Sequence, residues 1–219
     1  MEISDQIKVF QKLYNVPRET INKFTEYHDL LIRSQEKTNL VGSGTISSIW
    51  VRHFGDSAKL ANRIISIKNN TKRTTRVCDV GSGAGFPGLV CLLILSDQKL
   101  KIKMNLIESN RKKCEFLYLV KKRLMLPVGI INERVERIKE KYDIIISRAV
   151  APLHILLGLL VPLSKKETIL LLPKGKNYEK EIEKAKKLWN FSHKVVKNND
   201  LLDKSGGVTL EITHLRKNY

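Results

Sequence analysis

Apolar positions recur along this chain in two different rhythms. Through residues 1–66 the spacing is helical. In "RETINKFTEYHDLLIRS", Ile21, Phe24, His28, Leu31 and Ile32 fall three and four residues apart, which predicts an amphipathic helix. Pro17 suits its start. "TNLVGSGT", residues 38–45, breaks the pattern. "HFGDSAKLANRII" then predicts a further helix, with Asp56 as N-cap and Leu60 and Ile64 on one face. The polar run "KNNTKRTT", residues 68–75, marks a boundary. It divides a helical N-terminal extension, 1–67, from a second domain, 68–219.

From residue 76 short apolar runs alternate with helical segments. "RVCDVG", "KIKMNLIE", "VGIIN", "DIIIS" and "TILLLP" read as buried strands. Between them lie "PGLVCLLIL", opening with Pro87, "RKKCEFLYLVKKRL", closed by Pro127, and the apolar segment 153–163. "NYEKEIEKAKKLW" follows as a charged surface helix. Runs at about 193–202 and 208–215 form a closing pair, and Ser205-Gly206-Gly207 suits a hairpin between them. Strands alternating with helices imply an α/β fold, a mostly parallel sheet with helices on both faces. The hairpin adds an antiparallel edge.

Composition narrows the class. A hydrophobic content of 42% supports a packed core, and only 6% aromatic residues predicts an aliphatic filling. No run of eighteen apolar residues is present, so no membrane-spanning helix is expected. "MEISDQIKVF" lacks a signal-peptide core, which predicts a cytoplasmic protein. Cys78, Cys91 and Cys114 have neither metal-site nor disulfide spacing and read as buried thiols. No metal is expected. The net charge of +18 suggests a polyanionic partner, nucleic acid being the commonest. AT-rich coding also enriches Lys, Ile and Asn, so the charge alone does not name the partner.

The chemistry starts at "DVGSGAGFPGLV", residues 79–90, which holds four glycines. Gly83-x-Gly85-x-x-Gly88 fits the dinucleotide fingerprint, and Gly81-x-Gly83-x-Gly85 the S-adenosylmethionine loop. Both ligands need glycine there, because the backbone must approach closely and take positive φ. Both use an acid after the second strand for ribose hydroxyls, and Glu108 stands at that place. Asp79 separates the two. At the mouth of the loop its carboxylate would repel a pyrophosphate, by roughly 4 kcal/mol at 4 Å and an effective dielectric near 20. The ammonium and sulfonium of S-adenosylmethionine would instead be attracted. The phosphate loop of nucleotide hydrolases is excluded, since its Lys-Ser/Thr pair is missing.

Six segments in order, "RHFGDS", "DVGSGAGFPGL", "LIESNRKKCEFL", "INERVE", "ISRAVAPL" and "LLPKGK", closely resemble the ribosomal RNA small subunit methyltransferase G family. The similarity runs from about residue 39 to the C-terminus. It implies a class I S-adenosylmethionine-dependent methyltransferase fold with an N-terminal helical extension. It also implies methylation at N7 of the guanosine at position 527, in the 530 loop of 16S rRNA. On the resemblance, Gly81 and Phe86 contact the cofactor, and Val135 and Glu136 hold its adenine end.

Arg148 ends the fourth strand in "ISRAVAP", where methyltransferases of exocyclic base amines carry an Asn/Asp-Pro-Pro-aromatic motif. An arginine there suits a guanine edge, a phosphate or a carboxylate. The family resemblance assigns it to the cofactor. His53 and Asp56, in "HFGDS", are read as lining the cleft from the N-terminal side and are the catalytic candidates. Lys174 and Lys176 in "LLPKGK", and more weakly Arg111, Lys112 and Lys113, are candidates for RNA phosphates.

Guanine N7 has a lone pair and no proton, so its methylation needs no general base and no cysteine adduct. Positioning then supplies the catalysis, roughly 7–11 kcal/mol in favourable cases. A basic surface gives affinity without an address. The expected partner is therefore folded 16S rRNA or the 30S subunit, met by a monomer. The rival readings are a methyltransferase of another RNA or of a small molecule, an NAD(P)-dependent oxidoreductase, and a non-catalytic RNA-binding protein.

Overall fold

The computed structural model of the protein describes residues 2–68, 73–98, 100–197 and 207–218. The chain begins with α1 (Ile3–Tyr14) and α2 (Arg18–Gln35), joined through Asn15 in the left-handed region and Pro17. A 3-10 stretch, Ser43–Ser48, and one π-type turn, Trp50–Gly55, lead into α3 (Asp56–Lys68). Asp56 is not the N-cap that the sequence suggests. The π turn feeds α3 without a break, Asp56 has helical dihedrals (φ −61°, ψ −36°), and its own N–H donates to the His53 carbonyl. Its carboxylate instead pairs with Lys59 Nζ at 3.2 Å. Of the polar segment 68–75, residues 69–72 lie outside the described residues.

The remaining elements are β1 (Thr75–Val80), α4 (Gly88–Ser96), β2 (Ile102–Ile107), α5 (Arg111–Arg123), β3 (Val128–Ile131) and β4 (Tyr142–Ile146). They continue with α6 (Leu153–Leu160), β5 (Ser164–Lys174), α7 (Tyr178–Lys186), β6 (Trp189–Lys197) and β7 (Val208–Lys217). One sheet of order β3-β2-β1-β4-β5-β7-β6 results. Its first five strands are parallel, and β7 runs antiparallel between β5 and β6. The β6–β7 pair is the expected antiparallel edge; the turn expected at Ser205-Gly206 lies outside the described residues. Trp189, read from sequence as the end of a helix, opens β6 instead. Its Nε1 donates to the His154 carbonyl at 2.8 Å, which fixes the strand against α6.

Alternation along the strands divides the core into two layers. Val77, Ile144, Ile146 and Leu171 face one cluster with α4, α5 and the N-terminal helices. Cys78, Ile145, Leu170 and Leu172 face the other, with α6 and α7. Helix α4 lies between β2 and the pair α2 and α3, which explains why residues 88–95 are buried on every side and carry no polar face. The filling is not purely aliphatic. Phe10, Phe24, Phe54, Phe86 and Phe116, five of the six phenylalanines, join Tyr27 and Trp50 in one ring cluster on the N-terminal side. The few aromatics are concentrated where α1, α2, the π turn and the glycine turn meet. The three cysteines are free and buried.

Candidate active site

The carboxyl ends of the parallel strands carry the site. The turn after β1 bends through Gly81, Gly83 and Gly85, with φ of +72°, +57° and +96°. No side chain fits at Gly85: a Cβ there would lie 2.6 Å from the Tyr27 hydroxyl. At Gly81 it would overlap Val150, from the loop after β4. Two loops therefore meet backbone to side chain over β1 and β4.

Two acids hold the turn. Glu108, directly after β2, is nearly buried. Its Oε2 accepts from the Gly83 N–H at 2.8 Å and its Oε1 from the Asn110 N–H at 2.8 Å. An ionised carboxylate has about four acceptor sites, so roughly two remain for a ligand diol. Asp79 lies under the turn and not at its mouth, where its place before Gly81 suggests it. It is fully buried. Its Oδ2 accepts from the Gly88 N–H at the start of α4, 2.9 Å away. Its Oδ1 has no hydrogen-bond partner among the described residues. Burial pushes its pKa up to about 7, against the pull of the Gly88 N–H, the Ser82 hydroxyl and Arg148. With its pKa raised by burial, it repels a pyrophosphate less than an exposed carboxylate would. A buried acceptor lacking a donor still fits a cationic ligand near the turn.

Arg148 follows β4 and is 17% exposed. Its Nη2 donates to His53 Nδ1 at 2.6 Å and its Nη1 to the Arg52 carbonyl at 3.0 Å. The Asp56 carboxylate stands 3.7 Å away, and the guanidinium carbon lies 5.5 Å from the Phe86 ring centroid. The His53 ring stacks on Phe86 at 4.9 Å and 23°. Burial, then the positive charges of Arg148 and Arg52, hold the imidazole pKa down at about 3. Thr45 Oγ1 donates to the Gly42 carbonyl and lies 2.9 Å from His53 Nε2. Nε2 therefore carries the ring proton and Nδ1 the lone pair. Ser57 Oγ bonds the His53 carbonyl, so the "HFGDS" residues face separate partners rather than forming a relay.

Val135 and Glu136 lie in a short turn after β3, Val135 half-buried and Glu136 exposed. Arg111, Lys112 and Lys113 form the first turn of α5, and Arg111 pairs with Glu115 at 3.3 Å. Lys176 is exposed. Lys174 is not free for phosphate. Its side chain is 9% exposed, and its Nζ binds Glu181 Oε2 at 2.8 Å and the Ala151 carbonyl at 3.3 Å. The same Glu181 oxygen accepts from the Leu153 N–H at 2.7 Å, so the pair braces α6 and α7 against β5. Between the ends of β4 and β5 opens a cavity of about 980 Å³, lined by Arg52, Asp56, Arg148, Val150, Lys176 and Asn177 among others. The sequence pointed to neither this cavity nor Tyr27, whose hydroxyl donates to the buried Ala84 carbonyl. Tyr27 sits in an ordinary amphipathic pattern, with no local signal of that bond.

A parallel sheet closed by an antiparallel hairpin, a glycine turn after β1 and an acid after β2 define a class I methyltransferase. The solved magnesium protoporphyrin IX methyltransferase from Synechocystis PCC 6803, with bound SAM, has the same fold: TM-score 0.58 over 86% of this chain and 90% of that one, at 14% identity. The family described as rRNA small subunit methyltransferase G matches residues 20–206, and the chain belongs to it. The ribosomal RNA small subunit methyltransferase G of Bartonella tribocorum is 36% identical over 99% of both chains. That of Caulobacter vibrioides is 40% identical over 83% of this chain and 81% of its own.

Proposed function

We propose that the chain transfers the methyl group of S-adenosylmethionine to N7 of the guanosine at position 527 in the 530 loop of 16S rRNA. It does so as a cytoplasmic monomer that meets the rRNA free or within the 30S subunit. One observation carries the choice of a proton-free acceptor. The histidine in the cleft is neutral, and its lone pair is already filled by Arg148, so the cleft presents no histidine base. S-adenosylmethionine, when bound, supplies a methyl on positive sulfur that N7 takes with its own lone pair, with no proton to remove.

The residues present fit that cofactor. Glu108, tied to Gly83 and Asn110, faces the ribose hydroxyls. Gly81, Gly83, Gly85 and Phe86 shape the turn, Val135 and Glu136 flank the adenine, and Arg148 takes the carboxylate. Asp79, with its unpartnered Oδ1, draws positive charge toward the turn. The 980 Å³ cavity at the ends of β4 and β5 receives the flipped guanine. Lys176 and the first turn of α5 reach RNA phosphates. The division at 67/68 is one of fold and not of site, because Tyr27, Thr45 and His53 all serve the methyltransferase part.

The test is transfer of labelled methyl to 30S subunits, naked 16S rRNA and a small-molecule set, followed by mapping of the modified base. Label at N7 of the one guanosine supports the reading. Label confined to small molecules, or to another rRNA base, overturns it.

A further inference from the structure

His53 is placed by more than packing. It falls inside the π-type turn Trp50–Gly55, a wide turn that often marks a functional position. Its two nitrogens are both committed, Nε2 to Thr45 and Nδ1 to Arg148. Thr45 is in turn anchored on the Gly42 carbonyl at 2.7 Å. The ring lies flat on Phe86, and the Arg148 guanidinium sits over the same ring. The Arg52 carbonyl, one residue before His53, holds the other arm of the arginine.

We propose that His53 is a positioning residue, a neutral hydrogen-bond acceptor that fixes the Arg148 guanidinium beside the glycine turn, with Thr45 setting its tautomer. The inference rests on reading this cleft as a S-adenosylmethionine site served by Arg148. A guanidinium carries five N–H donors in a rigid fork. With one arm held on His53 and another on the Arg52 carbonyl, the rest of the fork has a fixed heading. Asp56 at 3.7 Å, too far for a hydrogen bond, adds attraction without direction. Without the imidazole the arginine swings toward that carboxylate and leaves its place.

Side-chain geometry offers a clean test. Asparagine places an oxygen where histidine has Nδ1, whereas glutamine reaches only the Nε2 position. Calorimetry with S-adenosylhomocysteine on the full chain compares wild type, His53→Asn, His53→Gln, Arg148→Ala and the double variant His53→Gln/Arg148→Ala. The expected result is a loss of about tenfold or more in affinity for His53→Gln, matching one hydrogen bond to a charged group. His53→Asn stays within about threefold, since the acceptor is restored. In the Arg148→Ala background the glutamine change has no further effect, because the coupled partner is gone.

Equal losses for Asn and Gln, or a full glutamine effect without Arg148, overturn the inference. So does loss of methyl transfer in His53→Asn at saturating cofactor, which would mark a general base. If His53→Gln fails to fold, nitrogen NMR of the ligand-free wild type decides. A neutral ring with the proton on Nε2 between pH 5 and 8 is expected, and a charged ring or the other tautomer refutes the proposal. Wild type binding NADP and not S-adenosylhomocysteine would instead overturn the cofactor reading itself.

Discussion

The hydroxyl of Tyr27, in α2, donates to the carbonyl of Ala84, at the centre of the glycine turn. The bond is buried and spans 57 residues of sequence. The same ring stacks on Phe86 at 5.7 Å and 24°. Burial pushes the phenol pKa well up, so the hydroxyl stays a donor. Tyr27→Phe leaves the Ala84 carbonyl buried and unpaired, which costs about 1–3 kcal/mol. Urea unfolding reads that loss, and S-adenosylhomocysteine affinity falls with it. A variant as stable as wild type with unchanged affinity would show the bond to be incidental.

Glu108 bonds two backbone N–H groups with its two oxygens. Glu108→Gln turns one acceptor into a donor facing an N–H, so one of those bonds becomes a repulsion. Cofactor affinity is expected to fall by about tenfold or more. Glu108→Asp, a methylene shorter, cannot reach both amides and falls similarly. Retained affinity in both variants would remove the ribose role from this residue.

Asp79 and His53 make opposite contributions to stability against pH. For Asp79 the folded pKa, about 7, exceeds the ordinary carboxylate value of 3.8. The folded state binds the extra proton between those values, so stability drains away as pH rises from about 4 to about 7. The slope reaches at most about 1.4 kcal/mol per pH unit. For His53 the folded pKa, about 3, lies below the ordinary 6.5. There the unfolded state binds the proton, and stability is lost as pH falls from 6.5 toward 3. The wild-type profile mixes both. Denaturation series on Asp79→Asn and His53→Asn separate them: the first gains on wild type as pH rises, the second as pH falls. A constant Asp79→Asn difference across pH 4 to 8 would refute the raised carboxyl.

Lys174 and Lys176 differ in role although two residues apart. Lys174→Met removes a bond to a charged partner and is expected to cost about 1–3 kcal/mol of stability. Lys176→Ala leaves stability unchanged and lowers the slope of log affinity for 16S rRNA against log salt by about 0.7 to 0.9, one phosphate contact. Filter binding across a potassium chloride series measures the slope. The reverse assignment, stability lost at Lys176 and salt slope at Lys174, would contradict the bracing pair with Glu181.

Much of the fold was legible because its signals are local. Five short apolar runs separated by helical ones can hardly be arranged except as a parallel sheet, and the positive-φ turn through Gly81, Gly83 and Gly85 is written in alternate neighbouring positions. What stayed hidden depends on distant partners. Lysine at a strand end reads the same whether solvent or Glu181 lies beside it. Asp79 looks like a loop acid until Gly88 and the sheet close over it. His53 reads only as a residue lining the cleft until Arg148, 95 residues on, is seen to occupy its lone pair. Asp56 suggests a cap because a π turn leaves no trace in apolar spacing.

Phe86 belongs at once to the glycine turn and to the ring cluster of Tyr27, Phe54 and the N-terminal helices. Damage to the two therefore shares one fate. Phe10 neighbours Phe54, and Phe54 neighbours Phe86, so a lesion in the first helix reaches the glycine turn through adjoining rings. Inherited loss of activity in this protein need not map to its cleft at all.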